Sequence, residues 1–239
     1  MLALLAANPA SAASDGALPR ELRHRLDVSA AAHARDIALT FDACGGAYDS
    51  RLIATLVRLR VPATLFVTRR WLDRNPAAVR ELLAHPTLFE FEDHGAAHVP
   101  AVIGRNLYGM KGAPDVAALE REVSGGALAI LNASGRQPTW YRGAGAAYDR
   151  ASEAAIGRLG YRIAGFSVNA DGGATLGAAE VARRLRRAAP GDIVIAHMNK
   201  PASGTAAGLA AALPELQQRG VTFVKLSQAA GVLPVSDAK

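Results

Sequence analysis

Ile37-Ala38-Leu39-Thr40-Phe41-Asp42 is the stretch that decides the fold. It is apolar almost throughout and lacks the every-second-residue polarity of a strand with one wet face, so it reads as a strand covered on both sides. Gly45-Gly46 follows, and Asp49 or Ser50 stands in position to cap an amphipathic helix over 51–60. Pro62 ends that helix and opens a second apolar strand, 63–67. The alternation then continues with helix 76–84 (Pro76 in its first turn), strand 88–91, helix 115–132, strand 140–142 and helix 150–159, stopped by Gly160. Strand 162–168, helix 178–188, strand 192–196, helix 208–219 and strand 221–226 complete the pattern. Apolar strands separated by amphipathic helices mean an α/β protein with a parallel sheet, open or closed. At 239 residues the chain suits a single α/β barrel.

Half of the residues are hydrophobic and a fifth are charged, which indicates a packed core rather than disorder. The formal charge of +6 comes from arginines spread along helical stretches such as Arg183-Arg184 and Arg186-Arg187. There is no basic block interleaved with aromatics, so solvated helix faces explain the charge and no nucleic-acid partner is expected. No segment approaches the ~20 apolar residues of a membrane span. The single cysteine, Cys44, permits no internal disulfide. Residues 1–20 read as an export signal or N-terminal tail, with a short apolar run and the small-x-small triplet Ala10-Ser11-Ala12, and 21–239 as one catalytic domain. A periplasmic or secreted location is the corresponding expectation.

The chemistry-bearing side chains fall at strand ends. Asp42, Arg142, Asn169 or Asp171, and His197 each stand at or just beyond the C-terminal end of an expected strand, the edge where parallel α/β folds collect their functional groups. His94 and His98 follow the strand 88–91, and their i, i+4 spacing on one turn of helix would let both imidazoles reach one metal ion. Each residue also has a plainer reading, with Asp42 and Asp171 as turn residues, Arg142 as a surface cation and His197 as a core histidine. Cys44 has no basic neighbour in sequence and reads as a small half-buried thiol.

Taken in order, Thr40-Phe41-Asp42-Ala43-Cys44-Gly45-Gly46, His94-Gly95-Ala96-Ala97-His98, Arg142-Gly143-Ala144-Gly145, Asn169-Ala170-Asp171 and Ile193-Val194-Ile195-Ala196-His197 resemble the motifs of the polysaccharide deacetylases, carbohydrate esterase family 4. The resemblance covers 35–226. It implies a distorted (β/α)7 barrel and the metal-dependent removal of N-acetyl, sometimes O-acetyl, groups from polysaccharides. His94 and His98 match the metal-binding histidines, for Zn²⁺ or another divalent ion such as Co²⁺, Ni²⁺ or Mn²⁺. Asp42 matches the general base, Arg142 the arginine that orients it, and His197 the histidine that protonates the leaving amine, with Asp171 or Asn169 positioning that histidine.

One position departs from the family pattern. Thr-Phe is usually followed by two acids, the first a base and the second a metal ligand, whereas Asp42 is followed here by Ala43. Two histidines alone make a poor zinc site. The expectation is that Asp42 itself contacts the metal; Asp49 or Asp93 completing the site, Cys44 as third ligand, and weak or lost binding are the alternatives. The implied activity is deacetylation of an N-acetylated glycan such as peptidoglycan or poly-N-acetylglucosamine. A metal-independent amidohydrolase acting on a small cyclic amide and an inactive glycan-binding domain are the competing readings.

Overall fold

The computed structural model describes residues 18–235, so the apolar leader and the Ala10-Ser11-Ala12 triplet lie outside the described residues. At its centre is β1 (Asp36–Ala43), with every residue buried. It pairs in parallel with β2 (Ala63–Val67), which pairs with β3 (Phe89–Asp93), which joins β4 (Trp140–Tyr141). On its other edge β1 pairs in parallel with β7 (Ile193–His197). The last strand of this sheet, β8 (Thr222–Val224), runs along Asp36–Ala38, on the edge of β1 that β2 occupies further on. The architecture is α/β, a distorted barrel of mostly parallel strands.

The expected strand 162–168 is divided. Arg162–Ile163 (β5) pairs with β4, whereas Val168–Asn169 (β6) pairs with β7 at the opposite end of the sheet. One segment therefore touches both sheet edges and draws them together. Between the two pieces, Leu22 and His24 take the ladder positions: Phe166 N–H donates to Leu22 O at 3.2 Å, and His24 N–H to Phe166 O at 3.2 Å. The N-terminal segment fills the gap in the wall, and Gly165 is what lets it approach. A Cβ at Gly165 would overlap the Leu22 carbonyl oxygen.

The helices follow from local signals. The Asp49 carboxylate accepts the Leu52 N–H and starts α1 (Ser50–Leu59), which stops at Arg60 in the left-handed region ahead of Pro62. The Thr68 hydroxyl caps α2 (Arg69–Arg74), a short helix the apolar pattern did not reveal. Then come α3 (Pro76–Leu83), α4 (Val116–Ser134, closed by Gly135), α5 (Arg150–Arg158), α6 (Ala178–Arg186) and α7 (Thr205–Gln218). The glycine-rich stretch 104–112 folds into a small hairpin, Asn106–Leu107 against Met110–Lys111, with Tyr108 and Gly109 both at positive φ in its turn.

Strand parity builds the site. Ile37, Leu39, Phe41, Leu65, Val194 and Ala196 belong to the core packed on the helices, while Ala38, Phe66, Ile193 and Ile195 belong to a second cluster filling the interior. Side chains alternate along a strand, so Thr40 and Asp42 share the inward face with Ala38, and His197 shares it with Ile193 and Ile195. Ala43 goes the other way, into the helix-side core. Asp42 and His197 are also register partners on adjacent strands.

Gly165→Ala is expected to lower stability by about 1–3 kcal/mol, because rigid backbone leaves the added methyl no room. Gly157→Ala, in α5 with open space around its Cβ position, is expected to raise stability by about 0.5–1 kcal/mol. Urea unfolding of both variants measures this; equal shifts of the same sign would refute the tight-approach account.

Candidate active site

Asp42, Cys44, His98, Tyr108, Asn169 and His197 line a cleft of about 700 Å³ at the C-terminal end of the strands. The Arg142 side chain, fully buried, stands beneath it. Its Nη1 donates to Asp42 Oδ1 at 2.9 Å and to Thr40 Oγ1 at 2.8 Å. Its Nε and Nη2 donate to the carbonyls of Ala164 and Gly165 at 3.1 and 3.3 Å, where the wall strand is divided. The guanidinium lies 4.2 Å from the Phe66 ring centroid. Burial opposes the charge on Asp42, but Arg142, His94 and His197 outweigh it and hold the carboxyl below its ordinary range.

His197 is oriented by Asp171. Its Nδ1 lies 3.0 Å from Asp171 Oδ1, and its backbone N–H donates to Oδ2 at 2.7 Å. Thr205 Oγ1 donates to the same Oδ2 at 2.9 Å, so the buried carboxylate is held from three sides. Burial lowers the His197 pKa, but Asp171 and Cys44 raise it more, to about 10. Asn169, the other residue considered for this position, is engaged elsewhere: its Oδ1 accepts the Gly172 N–H within its own turn.

His94 and His98 meet, but not on a helix. Residues 94–98 form a loop with Gly95 and His98 at positive φ, 84° and 65°, and the ring centroids lie 4.9 Å apart. A left-handed histidine is a strained arrangement, and Glu122 of α4 holds it by accepting the N–H groups of Ala97 and Val99 at 2.9 and 3.0 Å. Gly126 allows α4 to come this close, since a Cβ there would overlap Asp93 Oδ1. His94 Nδ1 lies 2.5 Å from the Arg142 carbonyl, which can only accept, so this nitrogen carries a proton and Nε2 is the atom left to face the cleft donors. Asp42, Cys44 and the Arg142 carbonyl raise the His94 pKa to about 9 against the lowering effect of burial.

A third candidate donor atom near the two histidines comes from Cys44. One ligand atom each from Cys44, His94 and His98 lie within 4.8 Å of one another, and Cys44 Sγ is 3.5 Å from His94 Nε2. Burial pushes the thiol pKa up, yet hydrogen bonds from His197, His94 and His98 prevail and bring it well below its ordinary value. Asp42, the ligand expected from the sequence, stands next to this group. Arg142 takes Oδ1, and Oδ2 stands 3.8 Å from His94 Nε2, beside the donor group rather than in it. Asp49 is engaged as the α1 cap, and Asp93 accepts the Gly95 N–H behind the loop. Cys44 was discounted because no basic residue neighbours it in sequence; its three histidines arrive from two other strand ends. Glu122 carried no sequence signal at all. Of the aromatics available for stacking, Trp71, Trp140 and Tyr148 are buried, and only Tyr108 at the hairpin tip is exposed beside the cleft.

Residues 29–164 match the family model for polysaccharide deacetylase. The chain belongs to the polysaccharide deacetylase family. Solved structures with the same fold include a carbohydrate esterase family 4 pseudoenzyme from Bacillus anthracis, at 18% identity and TM-score 0.69, over 82% of this chain and 65% of that one. The chain thus spans just under two thirds of that protein. A peptidoglycan N-acetylglucosamine deacetylase aligns at 16% identity and TM-score 0.71, over 86% of this chain and 90% of that one. A family 4 carbohydrate esterase from Streptomyces lividans, solved with acetate, aligns at 19% identity and TM-score 0.65, over 78% and 90%. No curated protein sequence matches the chain.

Arg142→Met is expected to cost about 3–5 kcal/mol, because it strands the Asp42 carboxylate in the interior. Adding Asp42→Asn should recover part of that loss, measured by urea unfolding. A double variant no more stable than the single one would show that the uncompensated charge is not the source of the cost.

Proposed function

We propose that this polysaccharide deacetylase is a metal-dependent hydrolase that removes acetyl groups from an N-acetylated glycan of the cell envelope or extracellular matrix. The observation that carries the reading is the juxtaposition of Asp42 and His197, register partners on adjacent strands, with the converging donors Cys44, His94 and His98 in the same cleft. A soft, three-donor group with its open side on a cleft suits a catalytic divalent ion, and His94 is already set in the tautomer that donates through Nε2. Bound there, such an ion supplies positive charge to the acyl carbonyl and raises the acidity of water.

The chain's own groups do the proton work. Asp42, kept ionised and aimed by Arg142, takes a proton from water as it attacks the acetyl carbon. His197 is held by Asp171 through Nδ1, so Nε2 is the atom that gives a proton to the departing amine. The C–N bond breaks, leaving acetate and a free amine on the sugar. Tyr108 offers a ring face at the cleft rim for a sugar to stack on. The converging donor group weighs against a metal-independent amidohydrolase, and the oriented acid–base pair weighs against a binding-only domain. The Ala10-Ser11-Ala12 triplet supports a periplasmic or secreted location, and no described helix is long and apolar enough to cross a membrane.

Purified protein is expected to release acetate from N-acetylglucosamine oligomers or peptidoglycan, to lose this activity on chelation and to regain it with Zn²⁺. Asp42→Asn should lower the rate by roughly 10²- to 10⁴-fold. Absence of acetate release from a broad panel of acetylated glycans, with metal supplied, would refute the reading; full turnover by metal-free protein would refute its metal dependence.

A further inference from the structure

Ala43 stands where the resemblance implies a second acid, and the residue after it is the donor that, among the described residues, groups with both histidines. The Cys44 backbone is pinned from two directions: its carbonyl accepts Thr68 Oγ1–H at 3.1 Å and an Arg70 Nη2–H at 3.2 Å. With the main chain held, the half-buried side chain lines the cleft, and Sγ lies 3.5 Å from Nε2 of His94. Asp42 is engaged by Arg142 through Oδ1 and stands outside the three-donor group. The His94 and His98 rings are fixed from behind by the Arg142 carbonyl and, through the loop, by Glu122.

We propose that Cys44 is the third protein ligand of the cation, making this a Cys-His-His centre that selects a thiophilic divalent ion, Zn²⁺ or Co²⁺, over Mg²⁺ or Mn²⁺. The proposal rests on the reading of the cleft as a metal site. A thiolate carries the same single negative charge as the missing carboxylate, so the charge facing the ion is conserved while the donor becomes softer. Soft sulfur favours zinc and cobalt; hard oxygen suits magnesium and manganese. On binding, the thiol proton passes to solvent as the sulfur–metal bond forms.

Cobalt makes the sulfur visible. Metal-free, reduced protein titrated with Co²⁺ alone is expected to take up one equivalent and to develop the near-ultraviolet sulfur-to-cobalt charge-transfer band. Cys44→Ser should lose that band and weaken binding by at least the roughly 10- to 100-fold that follows loss of an outer-shell partner. In unmutated protein, Zn²⁺ should slow alkylation of Cys44 by iodoacetamide, and Mg²⁺ or Mn²⁺ at the same concentration should not. This second arm needs no variant to fold. Cobalt bound without a charge-transfer band, or alkylation indifferent to Zn²⁺, overturns the proposal. Acetate release by a protein that binds cobalt without sulfur would sink the ligand assignment and leave deacetylation standing; a sulfur–cobalt band with no acetate release would do the reverse.

Discussion

One buried guanidinium ties the interior together. Arg142 reaches Asp42 and Thr40 on β1 and, with its other nitrogens, the Ala164 and Gly165 carbonyls where the wall strand is divided. Those carbonyls lie where the ladder is interrupted, and without the arginine they would lack this partner in a place where an unmet acceptor is expensive. The same cation is what allows an ionised carboxylate to sit buried beside two imidazoles. Closure of the barrel and the charge state of the site are therefore linked through one side chain. The Arg142 backbone carbonyl extends the link by setting the tautomer of His94.

Around that anchor the cleft divides into two sides. Asp42 and His197, next to one another across the β1–β7 ladder, are rigid because both strands are buried on both faces. Cys44, His94 and His98 belong to loops, and each loop is tied down individually, by Thr68 and Arg70 in one case and by Glu122 in the other. A left-handed histidine persists only where its surroundings hold it, and the buried Glu122 carboxylate does so with backbone N–H donors on either side of His98. The proposed function asks this arrangement to keep a proton acceptor and a proton donor apart while an acyl group sits between them and the donor cluster.

Much of this was legible from the residues. The apolar runs at 37–41, 63–67 and 192–196 appear as parallel strands, with Asp42 and His197 at the ends of two of them. The strand at 162–168 was legible only as a single run, because its division depends on Leu22 and His24 arriving from the far N-terminus. The expected helix at 94–98 is a loop: two positive φ values are invisible to a spacing rule that records only which residues recur. Cys44 illustrates the same boundary from the side of chemistry, since its partners lie about fifty and more positions away in the chain.

By itself, then, the order of residues determined the α/β class, the strand ends at which Asp42, Arg142, Asp171 and His197 stand, and the family. Those features follow from local apolar periodicity and from short motifs. Only the tertiary structure shows which donor stands beside His94 and His98, which carboxylate bonds to His197, and where the wall opens to admit the N-terminal segment. Each of those depends on distances between residues remote in the chain, and these are set by how buried strands register and close, not by any local pattern.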